Sequence, residues 1–438
     1  MKITRIRSVA VHGPRTRAFG GVDRTALGPH AVSEHSIVFV ETDAGITGLG
    51  EVCSVFKRRG RMLQVDLDLA LAPAMLGEDP RRIAHVVRKL DAALDGSEEA
   101  KAGIEMALWD IKGKALGVPV YELLGGLVRE RIPLSYSIPF GEPEEMAELA
   151  AKRVAAGHRT VKVKVGSDSA ARDIEAVRRV RAAVGPAIRV RVDGNMGWPN
   201  AKHAIAVIRE MERHDLELVE QPLPAHDLDG MAEIRRAIAA PLMADESIRT
   251  PLDAMRVVKA GAADIANVYV TEAGGLLNAA RIFAICEAAG MPCMIGSMPE
   301  FGIGTAAQIH LGLAMTNLGP DSDTCGVLYH AEDLLARKLR IENGFAYPPE
   351  GPAWGSRSTW PSSTAGTQRR APRRPRAWDD LRPTAPHSGQ RGHRRFDRDA
   401  IQALTPPPGC ATASTSIAVG RTRVQHPPHG ARATASPT

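Results

Sequence analysis

A chain of 438 residues has room for two or three domains, or for one α/β barrel of about 250 residues with a smaller companion. With 44% hydrophobic and 24% charged residues it is composed like an ordinary globular protein, and no apolar run approaches the ~18–20 residues of a membrane span. The net charge of +6 is unevenly placed: Ala353–Thr438 carries +10 and the preceding body −4, so a nucleic-acid-binding function would rest on that tail alone.

In chain order, Met1-Lys2-Ile3-Thr4-Arg5-Ile6 alternates as a strand does and lacks the apolar stretch of a signal peptide. The cysteines (Cys53, Cys286, Cys293, Cys325, Cys410) are odd in number and have no CxxC spacing, which argues against a disulfide scaffold and a structural zinc site. A reduced, cytoplasmic protein is expected. Ser36–Thr42, the turn Asp43-Ala44-Gly45 and Ile46–Val52 predict a hairpin. A helical pattern follows over Ala102–Ile111. Strands followed by helices predict a small α+β domain over residues 1–125.

From 126 to 325 the rhythm changes. Short β-branched runs at Thr160–Val165, Ile188–Asp193, Leu216–Glu220, Pro241–Asp245, Asp264–Val270 and Met291–Ser297 predict strands. Amphipathic stretches such as Ala170–Val184, Ala201–His214 and Leu276–Ala289 predict the helices between them. This is βαβ alternation, with a repeat of about 25–29 residues that suits a (β/α) barrel. A doubly wound sheet is the alternative, but no GxGxxG follows a strand to give it a dinucleotide site. Residues 326–352 form a return segment. Residues 353–438 hold 14 Arg, 11 Pro and no Lys, without sustained apolar periodicity, and predict disorder.

Polar residues stand at the ends of successive predicted strands: Lys164, Asp193, Glu220, Asp245 and Tyr269, then Ser297 and Glu300. In a barrel that rim carries the active site. Asp193, Glu220 and Asp245 are carboxylates from consecutive repeats. They would repel one another unless a cation lay between them, and partly open hard oxygen ligands favour Mg²⁺. Helix capping is the plainer reading for any one of them. Lys162 and Lys164 in Val161-Lys162-Val163-Lys164-Val165 share one side of their strand. Two interior ammonium groups are expected to lower each other's pKa, which is one way a lysine becomes a base near neutral pH.

Lys162-Val163-Lys164, Asp193-Gly194-Asn195, Glu220-Gln221-Pro222 and Ala244-Asp245-Glu246-Ser247 together resemble the enolase superfamily, in particular its muconate-lactonizing-enzyme-like group. The resemblance runs from residue 1 to about 352. It implies a (β/α)7β-type TIM barrel with an N-terminal α+β capping domain, and often an even-numbered homo-oligomer. It implies Mg²⁺ at Asp193, Glu220 and Asp245, Lys164 as the base, Lys162 as its electrostatic neighbour, and an enediolate formed by loss of the proton α to a carboxylate. That chemistry is a standard worked case of tuned acid and base groups. Ser297, Glu300 and Asn195 fall near the substrate by the same resemblance. Phe19, Gly20 and Gly21 fall in the mobile capping loop. The basic cluster Lys57, Arg58, Arg59 and Arg61, near the second capping loop, could meet a carboxylate or be solvated.

The chain departs from the family pattern twice. Tyr269 stands where the group usually has a second catalytic lysine, in Asn267-Val268-Tyr269-Val270-Thr271-Glu272-Ala273-Gly274-Gly275. After Gly351-Pro352 the family pattern stops, which fits a reading-frame slip in the tail better than a nucleic-acid-binding arm. A lysine on one face of the substrate and a neutral phenol on the other suit an anti elimination. The chain thus also resembles the cis-3-hydroxy-L-proline dehydratases of this superfamily, which implies a small hydroxyproline-like carboxylate substrate and a Δ1-pyrroline-2-carboxylate product. An amino-acid racemase or epimerase using Tyr269, an acid-sugar dehydratase and a catalytically dead scaffold are the alternatives.

Overall fold

The computed structural model describes residues 1–14, 23–30, 32–53 and 60–356. The N-terminal part contains β1 (Ile3–Pro14), β2 (Asp23–Thr25), β3 (Gly28–His30), β4 (Val32–Thr42) and β5 (Thr47–Val52). Helices α1 (Gly60–Asp66), α2 (Ala72–Met75), α3 (Ile83–Ala93), α4 (Glu98–Leu116) and α5 (Val120–Leu123) follow, with one π-helical stretch, Leu67–Leu71, between the first two. Strands β1, β4 and β5 form an antiparallel meander, and the predicted hairpin is its β4–β5 pair. Helix α4 lies on this sheet in backbone contact. A Cβ at Gly48 would stand 2.1 Å from Ala107 O, and one at Gly50 1.8 Å from Gly103 O. Only glycine permits that approach.

The rest alternates strictly. Strands β6 (Ile132–Pro133) and β7 (Ser135–Ile138) lead into α6 (Pro143–Ala155), β8 (Thr160–Lys164), α7 (Ala170–Val184), β9 (Arg189–Asp193), α8 (Ala201–Glu212) and β10 (Leu216–Glu220). Then come α9 (Leu228–Ala237), β11 (Leu242–Ala244), α10 (Pro251–Ala260), β12 (Ile265–Val268), α11 (Leu276–Ala288), β13 (Cys293–Ile295) and α12 (Gly302–Ala314). A small hairpin, β14 (Ile341–Glu342) and β15 (Phe345–Ala346), pairs with β6. Local chemistry sets these ends: Ser169 and Asn200 accept backbone N–H groups as N-caps of α7 and α8. Thr250 and Asp253 form a capping box ahead of α10, with Pro251 at its first turn.

Strands β7 to β13 form one parallel sheet in chain order. That order lacks the reversal that defines a doubly wound sheet. Both edges meet the same segment. Leu318 bridges to Cys293 on β13, and Ser322 bridges to Leu134 beside β7. Asp323 N donates to Ile295 O at 2.9 Å and Ser135 N to Ser322 O at 2.9 Å. One face of the strands is apolar, with Val161, Val163, Val190, Val192, Val219, Leu242, Ala266 and Ile295 buried, while Lys162, Lys164, Arg191, Asp193 and Glu220 alternate onto the other face.

The N-terminal part grips the sheet's helices through buried polar groups. Glu105 on α4 accepts Leu276 N and Leu277 N, each at 2.9 Å, and Trp109 Nε1 at 2.6 Å. It thereby caps the N-terminus of α11 from another element. Burial pushes its carboxyl up to about 7, against those hydrogen bonds. Both carboxylate oxygens accept, so an amide in its place points an N–H at an N–H. Glu105→Gln is expected to lower stability by about 1–3 kcal/mol, read as a lower urea midpoint at unchanged slope.

Ala353 and Trp354, counted with the tail in the sequence reading, are buried here. Trp354 Nε1 donates to Leu49 O on β5 at 2.9 Å. Packing therefore continues past Pro352. The expected disorder of the tail, its frame slip and its nucleic-acid reading fall otherwise on residues 357–438, outside the described residues, as do Phe19, Gly20, Gly21, Lys57, Arg58, Arg59 and the side chain of Arg61. The four described cysteines are buried. No helix among the described residues is long and apolar enough to cross a membrane.

Candidate active site

Register brings the predicted residues together. Lys164 on β8 pairs with Asp193 on β9, and Asp193 pairs with Glu220 on β10. All three are the last residues of their strands, so they stand in one row at about 4.8 Å per strand. Asp245 follows β11 directly. Ligand oxygens of Asp193, Glu220 and Asp245 all lie within 4.8 Å of one another, and the three side chains are buried. The turns beyond β9 and β10 hold Asn195 at φ 40° and Gln221 at φ 29°, a left-handed conformation that costs energy for such residues and clusters at functional sites.

Both lysines point into this row, as their alternation predicted. Lys162 Nζ lies 3.3 Å from Asp193, 3.1 Å from Glu220 and 2.5 Å from Asp323. Lys164 Nζ lies 2.6 Å from Asp193 and donates to Asn195 Oδ1 at 2.7 Å. The expected mutual lowering of their pKa values is corrected by these neighbours. Burial favours the neutral amines, and Lys162 adds to that at Lys164. Yet the surrounding carboxylates outweigh both effects, so each lysine is raised above its ordinary value, Lys162 strongly. Asp193 is held below its ordinary value because Lys164 and Lys162 overcome its burial. Glu220 and Asp245 go well above theirs: burial dominates, followed by Asp193 for the first and Glu246 for the second.

Tyr269 closes the other side. Its hydroxyl donates to Asp245 Oδ2 at 3.1 Å. Burial, then Asp245 and Glu220, raise its pKa well above the phenol range, so it is a neutral donor. Its ring needs Gly296, where a Cβ would stand 2.3 Å from Tyr269 Cζ. Lys162, Lys164, Asn195, Asp245, Tyr269 and Ser297 line a single cavity. Glu300, expected near the substrate, is absent from that lining. It is fully buried behind the wall, accepting from Ser297 Oγ at 2.6 Å and Met298 N at 3.0 Å, and burial raises it to about 7. Asn195 bridges Lys164 to Glu246, donating to Glu246 Oε1 at 3.1 Å.

Sequence reasoning missed several lining residues: Asp323, Glu246, Glu272 and Ser137. Asp323 follows the segment that meets both sheet edges, and that segment has no apolar run to mark it. Glu246 is adjacent to Asp245, and a paired acid there was the available signal. It also missed His35, Glu51 and Cys53, a second buried group of ligand-type side chains within 4.8 Å, contributed by β4, β5 and the residue after β5.

Three buried carboxylates, two lysines and a phenol thus converge at one end of the parallel sheet, a set of groups that could hold a cation and exchange protons. Residues 16–125 match the family described as mandelate racemase / muconate lactonizing enzyme, N-terminal domain, and residues 145–358 match the one described as enolase C-terminal domain-like. The chain belongs to this mandelate racemase/muconate lactonizing enzyme family of the enolase superfamily. It is 36% identical to an L-Ala-D/L-Glu epimerase of Bacillus subtilis over 323 residues, 73% of this chain and 87% of the relative. It is 33% identical to muconate cycloisomerase 1 of Rhodococcus opacus over 325 residues, 73% of this chain and 87% of that one. A dipeptide epimerase of Enterococcus faecalis, solved with Mg and the dipeptide L-Leu-L-Tyr, superposes with a TM-score of 0.77 at 30% identity, covering 81% of this chain and 99% of that one.

Proposed function

We propose that this protein is a Mg²⁺-dependent racemase or epimerase that removes the proton α to the carboxylate of an amino-acid-type substrate. The observation that carries this is Lys164 and Tyr269 lining one cavity beside the carboxylate row. The relatives reported above include two epimerases, which supports this reading over the hydroxyproline dehydratase expected from the sequence. The sheet is read as a closed (β/α)7β barrel, on the strength of the segment bridging both its edges. Residues 1–125 serve as its cap.

The residues present suit a divalent cation. Asp245 Oδ1 and the neighbouring Glu246 Oε2 are buried without a hydrogen-bond partner, and three hard oxygen ligands converge. Asp193, Glu220 and Asp245 would hold it. When bound, Mg²⁺ supplies positive charge that offsets these carboxylates and stabilises the charge developing on the substrate carboxylate. Burial and Lys162 act on Lys164 toward the neutral amine a base requires, and a cation held by the row would weaken the opposing pull of the carboxylates. Lys164 takes the α-proton. Tyr269, a neutral phenol, gives one back on the other face. Glu246, Glu272 and Asp323 place further carboxyl groups on the cavity wall, which suits the amino group of the substrate.

A second reading is dehydration of cis-3-hydroxy-L-proline. The observation favouring it is that the Tyr269 hydroxyl stands in the cavity as a hydrogen-bond donor, to Asp245 Oδ2 at 3.1 Å, which suits it to protonate a leaving hydroxyl. Proton NMR in D₂O with Mg²⁺ separates the two, using dipeptides, N-succinyl amino acids, proline and cis-3-hydroxy-L-proline. Epimerisation gives α-deuterium in both epimers and no water loss, and Tyr269→Phe leaves α-exchange while slowing inversion by about 10²-fold or more. Conversion of the cis-3 substrate to a pyrroline product supports dehydration. Silence across the panel with Mg²⁺ bound overturns both.

A further inference from the structure

We propose that Glu51, His35 and Cys53 are positioning residues through which the N-terminal sheet sets the Ser297–Gly304 loop and, with it, the substrate wall. This rests on the reading of the cavity as the site of α-proton removal. The three are fully buried. His35 Nδ1 and Glu51 Oε1 are 2.7 Å apart, and Cys53 Sγ lies 3.2 Å from His35 Nε2. The chain then crosses to the loop. Cys53 Sγ donates to Met298 O at 2.9 Å, and Glu51 accepts Phe301 N and Gly304 N, each at 2.8 Å.

Those contacts join residues roughly 250 apart in sequence. Phe301 stacks on His330 at 4.1 Å between ring centroids, and His35 meets the Phe301 ring edge-on at 5.0 Å. The opposite face of the same loop is the cavity wall: Ser297, Met298 and Pro299 line it. Cys53, Met298 and Tyr269 pack as one buried cluster. Carboxylate, imidazole and thiol could also be read as metal ligands. Their arrangement opposes that. Glu51 and Cys53 address opposite nitrogens of the ring, and each Glu51 oxygen already accepts a backbone N–H. The set is built as a hydrogen-bonded chain, with its carboxylate closing two amides that no helix or strand supplies with partners.

The test is hydrogen exchange followed by mass spectrometry on the full chain with Mg²⁺, alongside kinetics. In Glu51→Gln, one oxygen that accepts an amide becomes an NH₂ group. Exchange over residues 298–305 is expected to quicken by about tenfold or more, with residues 189–195 unchanged. KM is expected to rise about tenfold with a smaller change in kcat, since the loop binds substrate without moving its proton. Should Glu51→Gln not fold, Cys53→Ala is expected to quicken exchange at 298–301 and Cys53→Ser to restore it. Unchanged exchange in the loop, or equal quickening across all strands, overturns the proposal. So does stoichiometric zinc that is lost in Cys53→Ser. A quickened loop with no turnover of any panel substrate sustains the positioning chain and counts against the functional reading alone.

Discussion

Lys164→Ala is expected to abolish incorporation of deuterium at the substrate α-carbon, a loss of at least about 10²–10⁴-fold. The lysine is buried at the end of β8 with its amine 2.6 Å from Asp193 and 2.7 Å from Asn195. No other described amine in the cavity lining can take its place. Lys162, the remaining one, is held by Asp193, Glu220 and Asp323 together. Removing the side chain leaves Asp193 paired with Lys162 at 3.3 Å, so the carboxylate row keeps a counter-charge and the fold is expected to persist. Proton NMR in D₂O reads the exchange, and a calorimetric Mg²⁺ titration of the same variant checks that the cation position survives. Retained exchange in a folded variant that still binds Mg²⁺ would remove Lys164 from the role of base.

Glu220→Gln is expected to weaken Mg²⁺ by more than the about 10–100-fold that loss of a supporting residue around a metal ligand costs, and to abolish turnover with it. Glu220 is the central member of the row, register-paired with Asp193 and within 4.8 Å of Asp245. Three like charges at that spacing repel, so each is a liability to the fold unless a cation offsets it. The two effects of the substitution therefore have opposite signs. Without metal, the variant is expected to melt at or above the temperature of the parent protein. With saturating Mg²⁺ it loses the parent's gain, which at one hundred times Kd is about 2.7 kcal/mol. Thermal melts in EDTA and in Mg²⁺ measure both. Equal Mg²⁺-induced gains in the two proteins would exclude Glu220 from the cation position.

Much of this site was legible because a parallel sheet built from βα repeats is a local code. Asp193 and Glu220 end apolar β-branched runs, and spacing alone placed them, Asp245 and Tyr269 on one rim. Alternation placed Lys162 and Lys164 on one side of β8. What failed was whatever depended on neighbours distant in sequence. The direction at Lys162 was misjudged partly because Asp323, which pairs with it, was unseen, its segment having only isolated bridges to the sheet; at Lys164 the carboxylates responsible, Asp193 and Glu220, were in view but their proximity was not weighed. Glu300 was placed by its position in a motif, and spacing alone did not show that its oxygens accept from its near neighbours Ser297 and Met298. Nothing in Ser36–Val52 distinguishes Glu51 from an ordinary strand residue. Its partners at Phe301 and Gly304 lie across the fold.

The two carboxylates that the N-terminal part sends to helices flanking the parallel sheet, Glu51 to the start of α12 and Glu105 to the start of α11, also set rules for recombination. An N-terminal part exchanged with that of a relative, to change what the cavity accepts, breaks both attachments if the crossover separates residue 51 from 301–304 or residue 105 from 275–277. Chimaeras that carry each carboxylate together with the amides it closes keep both seams matched. Those that move the N-terminal part alone leave buried amide groups facing side chains chosen for a different sheet and its helices, and their loss of activity would report a mismatched seam rather than an unsuitable pocket.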